Sequence, residues 1–320
     1  MRPCARAVAL LLLVLLLAPA VTAGEWRGAG SPLVLVAEGT VRGSVYASGG
    51  HGYTSENPYV EYMEVPGGRV AFGRLCVPVW NYNEGDTLDV TVNGQALPQR
   101  AGSADIVSAW GVASYLFDVT DLVRPGMNVV EARYRNDNGA PYACYLTAVV
   151  ENRSMPLTRF FVYEGNRALA PATRIDREIV EVNASIETAG LESATLTTMQ
   201  IAGTAGERDR LLFNDGLLGE DVGRAKDGPY LDIDTFDVAP FLGPAENRIV
   251  FERGDETYIH PFAAALELTY DDGAAVSETG VSVLVAEREQ GRQVPFAVIA
   301  VLLLAAIAGG YAWYARRRSP

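Results

Sequence analysis

The sequence contains very little lysine, histidine or cysteine. Its 320 residues include one lysine, Lys226, two histidines and three cysteines, so arginine supplies almost all of the basic residues. This composition excludes a Cys/His zinc site of the usual spacing, and the sequence contains no nucleophile elbow and no strand-associated glycine-rich phosphate loop. The net charge of −13 excludes nucleic acid as a favoured partner, because so acidic a surface repels phosphates.

Amphipathic helical patterns of ordinary length are also missing. From Leu33 onward the chain consists of short alternating or β-branched runs that are separated by glycine, proline and asparagine. Such runs are typical of antiparallel strands joined by turns. We therefore predict an all-β fold, and the length accommodates two domains of about 100–200 residues each.

One stretch, residues 114–134, is present twice. Asp118 can cap a short turn through its carboxylate, and Pro125 followed by Gly126 suits a type II turn because glycine accepts a positive φ. The corner residues Phe117, Asp118, Val119, Pro125 and Asn128 recur at one constant spacing as Phe236, Asp237, Val238, Pro244 and Asn247. The match extends outward, from Asn93-Gly94 to Asn214-Asp215 and from Pro141 to Pro261. This repeat predicts two domains of one design, at 24–155 and 156–286.

Both ends of the chain carry apolar segments. Residues 1–23 predict a cleaved secretory signal, since Arg2 and Arg6 precede an apolar run that ends in small residues. An uncleaved anchor is the alternative, but this run is shorter than the ~20 residues of a membrane span. Residues 294–315 contain no charge and, at ~1.5 Å per residue, reach about 33 Å, which predicts a transmembrane helix. A buried core helix is the alternative there.

The flanks of the second apolar segment predict its orientation. Aromatic rings at 311–314 suit the membrane interface, and the arginines at 316–318 are typical of a cytoplasmic stop. We expect a single-pass protein of the plasma membrane with its amino terminus and both β domains outside the cell. A short tether at 287–293 joins the second domain to the membrane, and residues 316–320 form a cytoplasmic tail.

Export suggests two covalent modifications. Cys76 and Cys144 fall in predicted strands of the first repeat, and both are absent from the second, which has Thr197 and Ala264 at these places. We predict a Cys76–Cys144 disulfide, with two separate buried thiols as the alternative. Two sequons, at Asn152 and Asn183, are candidate N-glycosylation sites.

The motif FDVTDLVRPGMNVV at 117–130 resembles the closing motif of galactose-binding-like jelly-roll domains, such as those beside many glycosidase barrels. Together with residues 39–52 and 74–95, the layout is also similar to a family of archaeal surface proteins, mostly from methanogens, that carry a β-sandwich domain of unknown function. The second copy departs from the motif at Ala239 and Pro240. The resemblance implies two tandem antiparallel jelly-roll-like β-sandwiches. It also implies that a structural calcium ion is compatible with the fold, although no loop spells out its ligands and we predict no other cofactor.

Candidate site residues are few. His51 and His260 lack metal-ligand neighbours, and we interpret both as loop histidines that are solvated or bonded to the backbone. Carboxylate pairs such as Asp86 and Asp89 are numerous, but their periodicity assigns them to caps and solvated faces rather than to a glycosidase site. Trp80, Tyr82 and Trp110 are the candidate ligand-binding residues, since aromatic rings stack on sugar faces. Packing in the core or between the domains is their alternative role.

These observations favour a non-catalytic surface protein over an enzyme. The expected role is structural or adhesive within a cell envelope, with the membrane and envelope proteins or glycans as partners. The alternative is a carbohydrate-binding surface receptor that uses the first domain. An exported hydrolase ranks third.

Overall fold

The computed structural model describes residues 28–50, 56–101, 104–136, 138–224 and 231–284, all within one compact unit. The predicted signal segment at 1–23, the tether, the transmembrane helix at 294–315, the cytoplasmic tail and His51 lie outside these residues. Within the described ranges, no helix combines the length and the apolar character needed to span a bilayer.

The all-β prediction is confirmed. The helical structure in the described residues consists of two 3-10 turns, at Ala109–Gly111 and Ala239–Phe241. The strands are β1 (Gly30–Gly50), β2 (Tyr59–Val65), β3 (Arg69–Trp80), β4 (Thr87–Val92), β5 (Gln95–Ala96), β6 (Arg100–Ala101), β7 (Ile106–Val107), β8 (Ala113–Asp118), β9 (Gly126–Arg135), β10 (Ala140–Pro141), β11 (Cys144–Glu151), β12 (Leu157–Arg167), β13 (Arg177–Val182), β14 (Leu191–Ile201), β15 (Arg210–Phe213), β16 (Gly216–Glu220), β17 (Leu231–Asp237), β18 (Asn247–Glu252), β19 (His260–Tyr270) and β20 (Gly280–Val283).

The two halves have the same strand order. In the first half, strands in the order β1-β11-β3-β8 face a smaller sheet in the order β2-β9-β4-β5. In the second half, β12-β19-β14-β17 face β13-β18-β15-β16, so each strand occupies the place of its counterpart in the first half. This is the order of an eight-stranded, double-sheet jelly roll. Each pair of sheets encloses its own apolar core.

A single long strand, β1, belongs to both halves. Its residues 30–42 pair with β12, and residues 43–50 pair with β11, so the two large sheets form one continuous sheet of eleven strands. The sequence pattern divides β1 into separate runs at Gly39 and Gly43. In the structure both glycines lie inside the strand. Glycine is required at these positions because a Cβ at either one would come 2.0 Å from a main-chain oxygen of a neighbouring strand.

The two large sheets also pack against each other. One shared apolar cluster combines Cys76 and Tyr145 of the first half with Met199 and Phe262 of the second. Polar contacts cross the same seam: Glu267 Oε2 accepts a hydrogen bond from the main-chain N–H of Val45 at 2.5 Å, and burial raises the pKa of this carboxyl. The halves therefore form one body.

The structure corrects the predicted disulfide, since Cys76 and Cys144 are both buried and are not bonded to each other. Cys76 in β3 lies opposite Tyr145 in β11, so Cys144 is one position out of register with it. Neighbouring positions on a strand point to opposite faces of the sheet. Accordingly, Cys76 lies in the cluster between the halves while Cys144 lies in the core of the first half. Burial raises the pKa of the Cys144 thiol.

The repeated corner has the same hydrogen bonds in both halves. Asn128 Oδ1 accepts the main-chain N–H of Arg124 at 3.0 Å, and its Nδ2 donates to the Arg124 carbonyl at 2.8 Å. Asn247 forms the same two bonds with Gly243, each at 2.8 Å. The side-chain amide of each asparagine thus pairs with both main-chain groups of one turn residue, as a neighbouring strand would.

A second asparagine supports each corner. Asn93 Nδ2 donates to Asn128 Oδ1 at 2.8 Å, and Asn214 Nδ2 donates to Asn247 Oδ1 at 2.9 Å. Asn93 and Asn214 have positive φ values of 53° and 55°, a conformation that asparagine tolerates better than most residues. Their main chains form tight turns, as the repeat predicts. Their side-chain bond to the corner is not apparent from the sequence.

Valine at position 126 should lower the free energy of unfolding by about 1–3 kcal/mol, because a β-branched residue is strained at positive φ. Gly126 has a φ of +88°, and a Cβ there would meet no atom within 4 Å, so backbone strain alone would act. Urea denaturation followed by circular dichroism measures the change. Gly67→Val is the matched control, since its Cβ also has open space and its φ lies outside the left-handed region. Equal midpoints for the two variants would contradict the turn assignment.

Candidate functional site

The three aromatic residues proposed from the sequence have different surroundings. Trp80 is half-buried against the apolar cluster between the halves. Tyr82 is 4% exposed and packs edge-to-face on Tyr115 within the first core, with ring centroids 6.4 Å apart. Trp110 stacks on Tyr258 of the second half at 4.9 Å. The three rings therefore do not form one exposed sugar-stacking surface.

The structure corrects the interpretation of His260 as a solvated or backbone-bonded loop histidine, because this residue begins β19 and is completely buried between the two halves. Its Nδ1 is 3.0 Å from Asn166 Oδ1, and Asn166 Nδ2 donates to Ser114 Oγ of the first half at 3.0 Å. Burial lowers the pKa of His260 to about 3, so the ring is neutral at physiological pH. This geometry joins the two halves and gives the imidazole no access to a substrate.

The predicted sequons have different environments. Asn152 Oδ1 accepts hydrogen bonds from the N–H and hydroxyl of Ser154, and its Nδ2 donates to the Gly67 carbonyl at 3.2 Å. Asn183 is exposed at the end of β13. Glycosylation of either site stays a prediction.

A polar cavity of about 660 Å³ lies at one end of the first half, and we call it the asparagine pocket. The loops that follow β1, β3 and β9 meet there, so residues distant in sequence share one wall. Its lining consists of Asn57, Asn83, Asp86, Arg133, Tyr134, Arg135, Asn136 and Asn138. Amide, guanidinium, phenol and carboxylate groups thus surround a cavity that is open to solvent.

Asp86 is the centre of the pocket's hydrogen bonds. Its Oδ2 accepts from the main-chain N–H of Asn83 at 2.7 Å, from the hydroxyl of Tyr134 at 2.5 Å and from Asn136 Nδ2 at 2.5 Å. Burial, followed by the hydrogen bond to Asp86, raises the pKa of Tyr134. The phenol therefore stays protonated and keeps its donor directed at the carboxylate.

Two more asparagines fix the loops. Asn57 Oδ1 accepts the main-chain N–H of Tyr134 at 3.1 Å, and Asn57 Nδ2 donates to the carbonyl of the same residue at 2.5 Å. The Asn81 carbonyl accepts from Asn83 Nδ2 at 3.2 Å and from Asn136 Nδ2 at 3.0 Å. These bonds pre-organise the pocket wall, which lowers the entropy lost when a ligand binds.

Arginines supply the charged donors of the rim. The side chains of Arg133 and Arg135 are 47% and 59% exposed. Arg135 Nε also donates to Asp89 Oδ2 at 2.7 Å. Burial acts to raise the pKa of Asp89, but hydrogen bonds from Arg135 and Gln99 and the nearby arginine charges lower it below its usual value. The guanidinium of Arg133 remains accessible to a ligand in the cavity.

The sequence signal for this pocket is a pair of closely spaced asparagines on each side of it. Asn81 and Asn83 form one N-x-N pair, and Asn136 and Asn138 form another, each just after the end of a strand. Asparagine is so common in turns that neither pair is distinctive alone. Their convergence depends on the long-range pairing of β4 with β9.

A family profile described as "Protein of unknown function (DUF3344)" matches residues 25–269. The chain belongs to this DUF3344 family. The match covers both halves of the described fold, so the DUF3344 region includes the asparagine pocket and the shared strand β1. A search of curated proteins finds no match to this DUF3344 chain.

Several solved structures resemble the DUF3344 chain weakly. The α-L-rhamnosidase of Streptomyces avermitilis, solved with L-rhamnose, is 13% identical with a TM-score of 0.24, over 81% of this chain and 30% of that one. Tandem CBM51 modules of a family 98 glycoside hydrolase from Streptococcus pneumoniae are 6% identical with a TM-score of 0.21, over 77% and 97% of the two chains. A β-glucuronidase of Bacteroides uniformis is 12% identical with a TM-score of 0.21, over 67% and 22%. The DUF3344 chain thus spans under a third of the rhamnosidase.

Proposed function

We propose that this protein is a non-catalytic component of a cell surface with a structural or adhesive role. Residues 294–315 would anchor it in the plasma membrane with both halves outside, and the sequence resemblance suggests an archaeal envelope as the setting. Envelope proteins or glycans would be its partners. The observation that carries the proposal is the construction of the two halves as one body around the shared strand β1.

The shared strand also lies at the exit from the body towards the proposed anchor. The last described strand, β20, pairs with β1, with Val281 opposite Gly39. Tension applied through the segment after residue 284 would therefore reach the strand that holds both halves together. Backbone hydrogen bonds on both sides of β1 would distribute that load over the large sheet. Such an arrangement suits a load-bearing surface protein.

Protease shaving of intact cells tests the location and the anchor. We expect external protease to remove antibody epitopes from residues 28–284 while a fragment containing residues 294–320 stays in the membrane fraction. A chain truncated after residue 293 should appear in the medium, which controls for the anchor. Epitopes that are cleaved only after cell lysis would contradict the proposal.

The asparagine pocket favours a second candidate function, the binding of carbohydrate by the first half. Amide and guanidinium donors alternate with carboxylate and carbonyl acceptors around the cavity, a pattern that matches the paired donor and acceptor character of sugar hydroxyls. Two arginines on the rim would favour sugars that carry a carboxylate. The pre-formed loops supply the fixed geometry that selective recognition requires.

A glycan array probed with the full chain in detergent tests this second function. If the pocket binds sugar, Arg133→Ala and Asn138→Ala should each weaken binding at least tenfold, since both side chains are exposed at the rim. Arg69→Ala is the matched control because Arg69 is an exposed arginine paired with Glu151, away from the pocket. Binding that survives both pocket variants, or is lost equally in the control, would contradict this function. Trp110→Ala should act through stability, because that ring packs on Tyr258.

A further inference from the structure

The corresponding end of the second half contains a different set of side chains. In the first half, the main-chain N–H of Asp86 donates to the Asn83 carbonyl at 3.1 Å. In the second half, the N–H of Glu207 donates to the Thr204 carbonyl at 3.1 Å. The spacing that relates Asn93 to Asn214 also relates Asp86 to Glu207. Glu207 is therefore the counterpart of the carboxylate at the centre of the asparagine pocket.

The partner of this carboxylate differs between the halves. Asp86 receives a hydrogen bond from the amide of Asn136, in the loop after β9. The matching loop after β18 supplies Glu256, and its carboxyl lies within hydrogen-bonding reach of the Glu207 carboxyl. Two ionised carboxylates offer four acceptors and no donor, so they repel each other unless a proton or a cation lies between them.

Glu256 is the more constrained member of the pair. The residue is completely buried, and its Oε1 accepts the main-chain N–H of Thr204 at 2.6 Å. Its Oε2 is buried and accepts no hydrogen bond from the other groups of the described residues. Burial, together with the adjacent Glu207 and Asp209, raises the pKa of Glu256 to about 9. A buried carboxylate oxygen without a donor is strongly destabilising, so it indicates that either a proton or a cation lies between the two carboxyl groups.

Neighbouring groups increase the negative potential. Asp209 is buried and accepts the Gly223 N–H with both carboxylate oxygens at 3.1 Å, and burial raises its pKa to about 6. Asp221 Oδ1 accepts the N–H of Gly206 at 2.6 Å. The guanidinium of Arg253 donates to the main-chain carbonyl of Glu256 and to Asp176 rather than to the carboxylate pair. Within the described ranges, none of these four carboxylates forms an ion pair.

We propose that Glu207 and Glu256 bind a Ca²⁺ ion. Calcium selects carboxylate, carbonyl and water oxygens and tolerates irregular geometry, so it suits a pair of glutamates in a loop cluster. The described residues contain no group of three or more His, Cys, Asp or Glu side chains placed to hold a metal. Main-chain carbonyls and water would therefore complete the shell around the two glutamates. The ion would replace, in the second half, the amide that joins the two loops in the first half.

Thermal unfolding of the full chain in detergent tests the site. At pH 7.5, Ca²⁺ at about 100 times its Kd should raise Tm by about 5–10 °C over the value in EGTA. Equilibrium dialysis with radioactive calcium should show one ion per chain. Glu256→Gln should weaken Ca²⁺ binding at least tenfold, yet keep a Tm in EGTA no lower than that of the wild type, because the new amide can donate to Glu207. Glu207→Gln is the second variant, in case Glu256→Gln fails to fold.

Asp215→Asn is the matched control, because Asp215 is an exposed carboxylate of the same half that pairs with Arg248. This variant should keep the full response to calcium. A calcium response that persists in both glutamine variants, or is lost in Asp215→Asn, would overturn the proposal.

A shared proton is the competing explanation, and the pH dependence separates it from calcium. In EGTA the folded chain holds a proton on Glu256 that the unfolded chain releases above about pH 4.5, so stability should fall as pH rises between about 4.5 and 9. The contribution of His260 to stability has the opposite sign, since it increases as pH rises between about 3 and 6.5. The wild type is therefore compared with Glu256→Gln, in which His260 is unchanged. Calcium should remove this pH dependence. If the stability of the wild type depended on pH in the same way with and without calcium, a shared proton alone would explain the glutamate pair and the calcium proposal would be wrong.

Discussion

Leucine in place of Arg74 should lower the free energy of unfolding by about 3–5 kcal/mol. Arg74 Nε in β3 lies 3.3 Å from Glu164 Oε1 in β12, so this ion pair crosses the seam between the halves. The Glu164 side chain is 0% exposed, whereas that of Arg74 is 20% exposed. Removal of the guanidinium would leave a buried carboxylate without its counter-ion, and its desolvation would no longer be offset.

Chemical denaturation monitored by tryptophan fluorescence measures this loss. Arg69→Leu is the control on the same strand, because Arg69 is 69% exposed and pairs with Glu151 on the surface. Arg69→Leu should lower the free energy of unfolding by no more than about 1 kcal/mol. The double variant Arg74→Leu with Glu164→Leu should recover most of the stability, since no buried charge remains. If Arg74→Leu cost no more than Arg69→Leu, the seam would not depend on this pair.

Alanine in place of Asn128 should lower the free energy of unfolding by about 2–4 kcal/mol. The side chain is 1% exposed and satisfies both main-chain groups of Arg124 as well as the Gly126 carbonyl. It also accepts the amide of Asn93. Truncation would leave several polar groups of a buried turn without partners, and each such group costs about 1–3 kcal/mol.

Urea titrations of two corner variants and one control test this expectation. Asn247→Ala should have a loss similar to that of Asn128→Ala, because Asn247 forms the equivalent bonds with Gly243 and Asn214. Asn183→Ala, at an exposed position, should change the free energy of unfolding by less than about 0.5 kcal/mol. If the corner variants lost no more free energy of unfolding than Asn183→Ala, the asparagines would not stabilise the two turns.

Local patterns in the sequence predict the strands and the corners well. Alternation predicts that Tyr115 and Phe117 lie on the same face of a strand, and in the structure this face packs in the first core. The constant spacing between Asn128 and Asn247 reflects a real repeat, since the two residues form the same bonds with their own turns. These features depend on residues near each other in sequence, where spacing carries the relevant information.

The seam between the halves depends on distant residues and was not predicted. Sequence alternation does not show that β1 continues through Gly39, because a glycine within a run is a usual sign of a turn. The error at Cys76 and Cys144 has a similar origin. Their shared absence from the second repeat indicates only that both lie in the first half, whereas disulfide geometry depends on the register of β3 with β11.

The grouping of polar side chains in the candidate site is the feature that the sequence shows least. Ligand binding by Trp80, Tyr82 and Trp110 stays a prediction, and the ring contacts of Tyr82 with Tyr115 and of Trp110 with Tyr258 agree with the alternative role in packing. The asparagine pocket arises from three loops, and the glutamate pair of the second half becomes visible only by comparison with the Asp86–Asn136 bond. Small polar residues in loops have many roles, so only their three-dimensional neighbours distinguish a binding group from a turn former.

The position of β1 in the chain determines when folding can finish. This strand is synthesised first, but its partners β12 and β20 follow about 130 and 240 residues later along the ribosomal product. The central sheet therefore stays incomplete until nearly the whole chain has emerged, since loop closure over such distances is slow. The two halves of the sheet therefore cannot both be completed early in synthesis, because the strand that they share waits for its last partner.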